Sequence, residues 1–149
     1  MENSAKVMLF RREIDLIKDP KLQCFVTHCL INLPDYFFTM PASTTGKHHP
    51  QYSLGDGGLV RHTKAAIGIV EQLLQVDFIS EKIPKKDLVY AALLLHDGVK
   101  KKSADSQYTA FEHPLLARDF ILACKETFLQ DEPASICFED DVRAISEAV

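Results

Sequence analysis

The chain lacks the features that mark several protein classes. No apolar run reaches the roughly 18 to 20 residues of a membrane span, and the opening MENSAKVMLFRREIDLIK sets charges where a secretory leader is apolar. Membrane insertion and export are therefore disfavoured, and the cytoplasm is the expected compartment. There is no basic excess either: 17 Lys and Arg stand against 21 Asp and Glu, a formal net charge of -4 with a pI near 5.8. Counterion release from nucleic acid needs a basic face, so bulk nucleic-acid binding is disfavoured and only a local basic patch stays open. Cys24, Cys29, Cys124 and Cys137 form neither a CxxC pair nor a regular framework. Three of them have apolar neighbours such as Phe25, Leu30 and Phe138, and the set reads as small, buried, reduced side chains rather than a zinc site or disulfide scaffold. No segment alternates with the period of a strand, and there is no internal repeat or low-complexity tract.

What is present is helical periodicity in a chain of one-domain size. Of 149 residues, 46% are hydrophobic and 26% charged, and folding at this length buries roughly 70% of the surface the unfolded chain exposes, enough for a core without staples. Asp19-Pro20 supplies a helix cap followed by proline at the first helical position, and Leu22, Phe25, Val26, Cys29 and Leu30 follow at helical spacing until Pro34. A charged amphipathic stretch, Met8 to Ile17, precedes it. Between Thr39 and Gly58, prolines, glycines and hydroxyl residues break any period, which predicts a long loop of the kind that often carries function. From Leu59 to Leu74 a stripe through Leu59, His62, Ala66, Ile69 and Leu73 predicts an amphipathic helix with His62 facing inward. DLVYAALLLHD, apolar almost all round and stopped by Gly98, predicts a buried central helix. HPLLARDFILACKETFL predicts another, with Leu115, Leu116, Phe120, Ile121, Cys124 and Phe128 as its apolar set, and a last one starts at Glu139 with acids at its positive end. The fold expected is an all-α bundle, one domain over residues 1–149. The final EDDVRAISEAV reaches Val149 with its apolar pattern still running, which leaves open that the domain continues.

Chemistry concentrates at His62, His96-Asp97 and His113. A carboxylate at the end of a buried helix is costly to desolvate unless it is paired, hydrogen-bonded or bound to a cation, and at that pole the helix dipole opposes it. The adjacent imidazole suits a borderline transition metal while the hard carboxylate can bridge ions or hold water, so the doublet suggests a mixed nitrogen and oxygen metal site. The plainer alternative makes His96 and Asp97 a helix end, His62 a satisfied cleft histidine, and His113 part of a helix start before Pro114.

GGLVRHT at Gly57 to Thr63, LLLHDGVK at Leu93 to Lys100 and EHPLLA at Glu112 to Ala117 resemble the HD superfamily of metal-dependent phosphohydrolases, over roughly residues 47–121. The resemblance implies an HD-like helical bundle in which His62, His96, Asp97 and His113 bind one or two divalent transition-metal ions, among Mn, Fe, Co, Ni and Zn, with Asp97 bridging. It also implies that Lys100, three positions past Asp97, contacts substrate phosphate. Asp97 and Lys100 are thus the expected catalytic residues. His48 and His49 resemble paired histidines that precede the first motif in some HD-domain nucleases, and with Arg61 and Lys64 they are expected to touch substrate. Lys47, Lys101 and Lys102 add positive charge nearby, although solvated positions suit the last two better. The family's pattern ends on a later Asp, with a further His before it in the multi-histidine variants. This chain has no histidine after His113 and only Asp119, Asp131, Asp140, Asp141 and nearby glutamates remain.

The implied activity is hydrolysis of a phosphomonoester or phosphodiester, of a nucleotide or short oligonucleotide, by water made acidic on the metal. Two further readings stay open: a di-iron oxygenase on the same scaffold, and a non-catalytic ligand-sensing or interaction module with an incomplete metal site.

Overall fold

The computed structural model describes residues 1–43, 50–101, 110, 112–131 and 139–149. Lys47, His48, His49, Lys102 and Cys137, all singled out above, lie outside them. Every regular element among the described residues is helical: α1 (Asn3–Leu9), α2 (Arg11–Ile14), α3 (Pro20–Asn32), α4 (Gly58–Leu73), α5 (Asp77–Ser80), α6 (Lys86–Leu95), α7 (His113–Asp131) and α8 (Glu139–Ala148). Short 3-10 turns occupy Asp35–Phe38 and Gln51–Ser53. The all-α expectation holds, and among the described residues no helix is long and apolar enough to cross a membrane.

Local chemistry accounts for the helix ends. Asp19 accepts from the backbone N–H groups of Lys21 and Leu22, at 2.9 and 3.1 Å, and Pro20 opens α3 as the sequence predicts. At the other end of α3, the buried Lys6 ammonium donates to the carbonyls of Ile31 and Leu33, which the helix leaves without partners. The Met8 to Ile17 stretch is not one helix: it breaks at Phe10 between α1 and α2, and the Phe10 ring is wholly buried against Phe37.

Helix α6 packs on α3, α4 and α8, while α7 packs on α3 and α8. Tyr90, Ala91, Leu94 and Leu95 of α6 meet Phe25, Leu30, Leu59, Ile67, Ile121 and Ile145 in one core, which makes α6 the central helix its composition predicts. The burial pattern of α4 differs from expectation. Its buried face runs through Leu59, Thr63, Ile67 and Leu74, whereas Ile69 is 60% and Leu73 45% exposed. At about 100° per residue the true inner face lies roughly a quarter-turn from the stripe read from the sequence. Apolar residues lie on two sides of this helix, and only packing selects between them. His62 consequently sits at the edge of the core, half-buried, instead of inside it. Leu115 on α7 is also exposed, and Cys24 departs from the expected burial of the cysteines by facing solvent.

Candidate metal centre

The first histidine is delivered by a tight junction. Gly57 takes the left-handed conformation, φ 67°, immediately before α4. Gly58 then passes so close to the Ser53 carbonyl that a Cβ there would lie 2.1 Å from its oxygen. Gly57 N–H donates to Thr39 O at 2.7 Å, Leu59 N–H to Met40 O at 3.0 Å and Ala42 N–H to Ser53 O at 3.0 Å. These bonds lay segment 39–42 against segment 53–59 and fix the start of α4, one turn before His62.

The second motif sits where α6 ends. His96 is the C-terminal flanking residue, still helical in φ and ψ, and Gly98 N–H closes the turn onto Leu95 O at 2.9 Å. Gly98 packs under Leu33, where a Cβ would come within 2.7 Å of the leucine methyl. Asp97 is thereby buried just beyond the negative pole of α6, where its charge needs compensation.

Compensation comes from four sides. The Lys100 ammonium, itself buried, lies 2.8 Å from Asp97 Oδ2 and donates to Ala42 O at 3.0 Å. His96 Nε2 and His62 Nε2 face the same oxygen at 3.4 and 3.7 Å, and His113 Nε2 faces Oδ1 at 3.4 Å. One donor atom each from His62, His96 and Asp97 falls within 4.8 Å of the others, a spacing that can hold a metal ion. His113 meets the other carboxylate oxygen, and Ala110 N–H donates to Lys100 O at 2.7 Å just before α7.

Two of the imidazoles are held at Nδ1 by backbone carbonyls. His96 Nδ1 lies 2.8 Å from Leu93 O and His113 Nδ1 lies 3.1 Å from Ala110 O. A carbonyl only accepts, so both Nδ1 atoms carry hydrogen, and a neutral ring then presents a lone pair on Nε2 toward the carboxylate. A lone pair aimed at a carboxylate is stable only with positive charge between them, supplied by a proton or by a metal ion. Burial works against the charged His96 ring, but the Asp97 carboxylate outweighs it and raises its pKa above the ordinary histidine value. Burial likewise pushes the Asp97 carboxyl upward, yet the hydrogen bond and charge of His96 and the Lys100 ammonium prevail and hold it well below the usual carboxylate range.

The remaining expected contacts lie elsewhere. Arg61 donates to the carbonyls of Tyr52, Leu54 and Asp56 at 2.6, 2.8 and 2.8 Å, so its guanidinium straps the loop before α4. Lys64 is 3.3 Å from the buried Glu13 carboxylate and stands over the Phe10 ring, two residues and more than half a helical turn from His62. Among the later carboxylates, Asp119, Asp140 and Asp141 pair with Arg118, Arg143 and Lys85. Sequence reasoning missed Tyr36, whose hydroxyl accepts from Lys101 N–H at 3.3 Å and whose ring lies beneath the Lys101 ammonium. It also missed the carbonyls of Ala42, Leu93 and Ala110, which bear no residue-type signal.

The chain matches none of the known protein families, curated proteins or solved structures with which it was compared. Fold and site on their own define an all-α domain carrying a His-His-Asp cluster of metal-ligating spacing.

Proposed function

We propose that this chain is an HD-like, divalent-metal-dependent phosphohydrolase acting on a phosphomonoester or phosphodiester, with a nucleotide or short oligonucleotide as the substrate class. The observation that carries the reading is the convergence of three imidazole Nε2 atoms, from three separate segments, on both oxygens of one buried carboxylate. The anchored Nδ1 atoms of His96 and His113 and a hard carboxylate form a donor set that fits Mn, Fe, Co, Ni or Zn.

His62, His96 and Asp97 would hold one ion, and His113 lies on the side of Asp97 suited to a second. When bound, such an ion supplies Lewis acidity that makes water acidic enough to attack phosphorus near neutral pH. The chain's own part is to turn Nε2 of His96 and His113 toward the carboxylate by spending their Nδ1 hydrogens on carbonyls, and to keep Asp97 ionised. Lys100 adds a fixed positive charge beside the carboxylate, which would offset the charge of a phosphoryl group.

A second reading, a ligand-sensing or interaction module without catalysis, has one observation in its favour. Asp97 Oδ2 is already neutralised by Lys100 at 2.8 Å, and the described later carboxylates are paired elsewhere. Elemental analysis of protein purified without chelator, with hydrolysis of p-nitrophenyl phosphate and bis-p-nitrophenyl phosphate under added Mn, Fe, Co, Ni or Zn, separates the two. The phosphohydrolase predicts bound metal and metal-restored turnover, both lost in His96→Ala. Metal-free protein that hydrolyses neither ester with any added ion refutes it.

A further inference from the structure

The interface between α3 and α7 places two thiols together. Phe25 meets Phe128 edge-on with ring centroids 5.5 Å apart, and one turn on, His28 Nε2 hydrogen-bonds Thr127 Oγ1 at 3.0 Å and its ring stands 5.5 Å from Phe128. Contacts that advance along α3 while receding along α7 make the helices antiparallel. One turn forward from Phe25 and one turn back from Phe128 arrive at Cys29 and Cys124. Both are unbridged and buried, 0% and 5% exposed. Helix axes about 8–10 Å apart, with Cα atoms on cylinders of about 2.3 Å radius, bring directly facing Cα atoms toward the roughly 4.4–6.8 Å that a disulfide spans.

We propose that Cys29 and Cys124 are a redox site, joining as an intramolecular disulfide when the protein meets hydrogen peroxide and returning to thiols with a dithiol reductant. Cys124 is the sulfur that reacts first: it is the more exposed of the two, and the neighbouring Cys29 thiol draws its pKa below the ordinary thiol value, while burial pushes Cys29 up. The Cys124 thiolate attacks a peroxide oxygen. An S–O bond forms, the O–O bond breaks, and the departing hydroxide takes up the thiol proton as water. Cys29 sulfur then attacks Cys124 sulfur, forming the S–S bond, and the displaced hydroxide leaves as a second water with the Cys29 proton. Two thiols and one peroxide become one disulfide and two waters, with two electrons passing from sulfur to oxygen.

The cross-link would close a stretch of chain that contains α4 and α6, and would tie α7, whose first residue is His113, to α3. It therefore joins α3, which packs on α6, to the helix that begins with His113. The chemistry does not depend on the function proposed above.

The test uses the full chain carrying Cys24→Ser and Cys137→Ser, so that the facing pair are the only thiols. After hydrogen peroxide, the protein is denatured in iodoacetamide and its intact mass is read. The expected result is a mass lower by two hydrogens with no alkylation, full double alkylation after dithiothreitol, and a proteolytic fragment joining the Cys29 and Cys124 peptides. Two alkylated thiols after oxidation, or independent oxygen addition to each sulfur, overturns the proposal. Should that double variant fail to fold, the wild-type chain is mapped instead, where a bridge ending on Cys24 or Cys137 in place of either partner overturns it.

Discussion

Asp97→Asn tests the electrostatic argument at the centre of the cluster. The substitution keeps the side-chain shape and removes a negative charge whose carboxylate is 7% exposed, facing a Lys100 side chain that is 5% exposed. An ion pair in solvent contributes about 0–1 kcal/mol, whereas removing one partner of a buried pair costs about 3–5 kcal/mol because the other charge stays desolvated. Burial of both partners selects the second case, and the Ala42 carbonyl alone cannot neutralise the ammonium. At roughly 2–4 °C per kcal/mol for a domain of this size, chelator-treated Asp97→Asn should melt roughly 6–20 °C below the wild type. Asp97→Asn combined with Lys100→Met removes both charges and should recover most of the loss, since an apolar pair of similar volume is often as stable as a buried ion pair. Thermal and urea unfolding followed by helical circular dichroism, in chelator so that metal linkage is absent, measures both. A loss below about 1 kcal/mol in the single variant, or a double variant no more stable than the single one, would refute the reasoning.

Gly58→Ala should unfold the junction before α4 or prevent accumulation of the protein, because its Cβ would strike the Ser53 backbone; Gly68→Ala, with nothing within 4 Å, should instead stabilise α4 by about 0.5–1 kcal/mol, both read by urea unfolding. Lys64→Met leaves the buried Glu13 carboxylate with Arg12 3.7 Å away and should cost about 1–3 kcal/mol while leaving metal content unchanged; loss of metal by elemental analysis would contradict its placement away from the cluster. Asp35 is held below the ordinary carboxyl value by the Met1 ammonium and then Lys6, at 2.7 and 3.0 Å. Its folded pKa lies below its unfolded value of about 3.9, so its contribution is present above that pH and lost as pH falls through the folded value. Asp35→Asn should therefore differ from wild type at pH 6 and approach it as acidification protonates Asp35 in the folded state, and a difference that does not shrink on acidification would contradict the pairing.

The sequence alone determined the fold class, the position of α3, α4, α6, α7 and α8, and the identity of the central helix. Those features follow from local rules: Asp19-Pro20 caps and opens a helix wherever it sits, Gly98 ends one, and the nearly continuous apolar surface of α6 has nowhere to go but the middle. The doublet His96-Asp97 was also legible, since a carboxylate after such a helix demands a partner. Which face of α4 turns inward was not, because Ile69 and Leu73 offer a second apolar side and packing against α6 decides between them. Only the tertiary structure committed Arg61 to loop carbonyls and Lys64 to Glu13, since a cation's partner depends on what distant chain segments bring beside it. Nor could spacing in sequence decide that residues 62, 96, 100 and 113 share one carboxylate. That required α6 to pack on α4, the Ala110 to Lys100 hydrogen bond to return the chain, and a buried charge to draw every cation within reach.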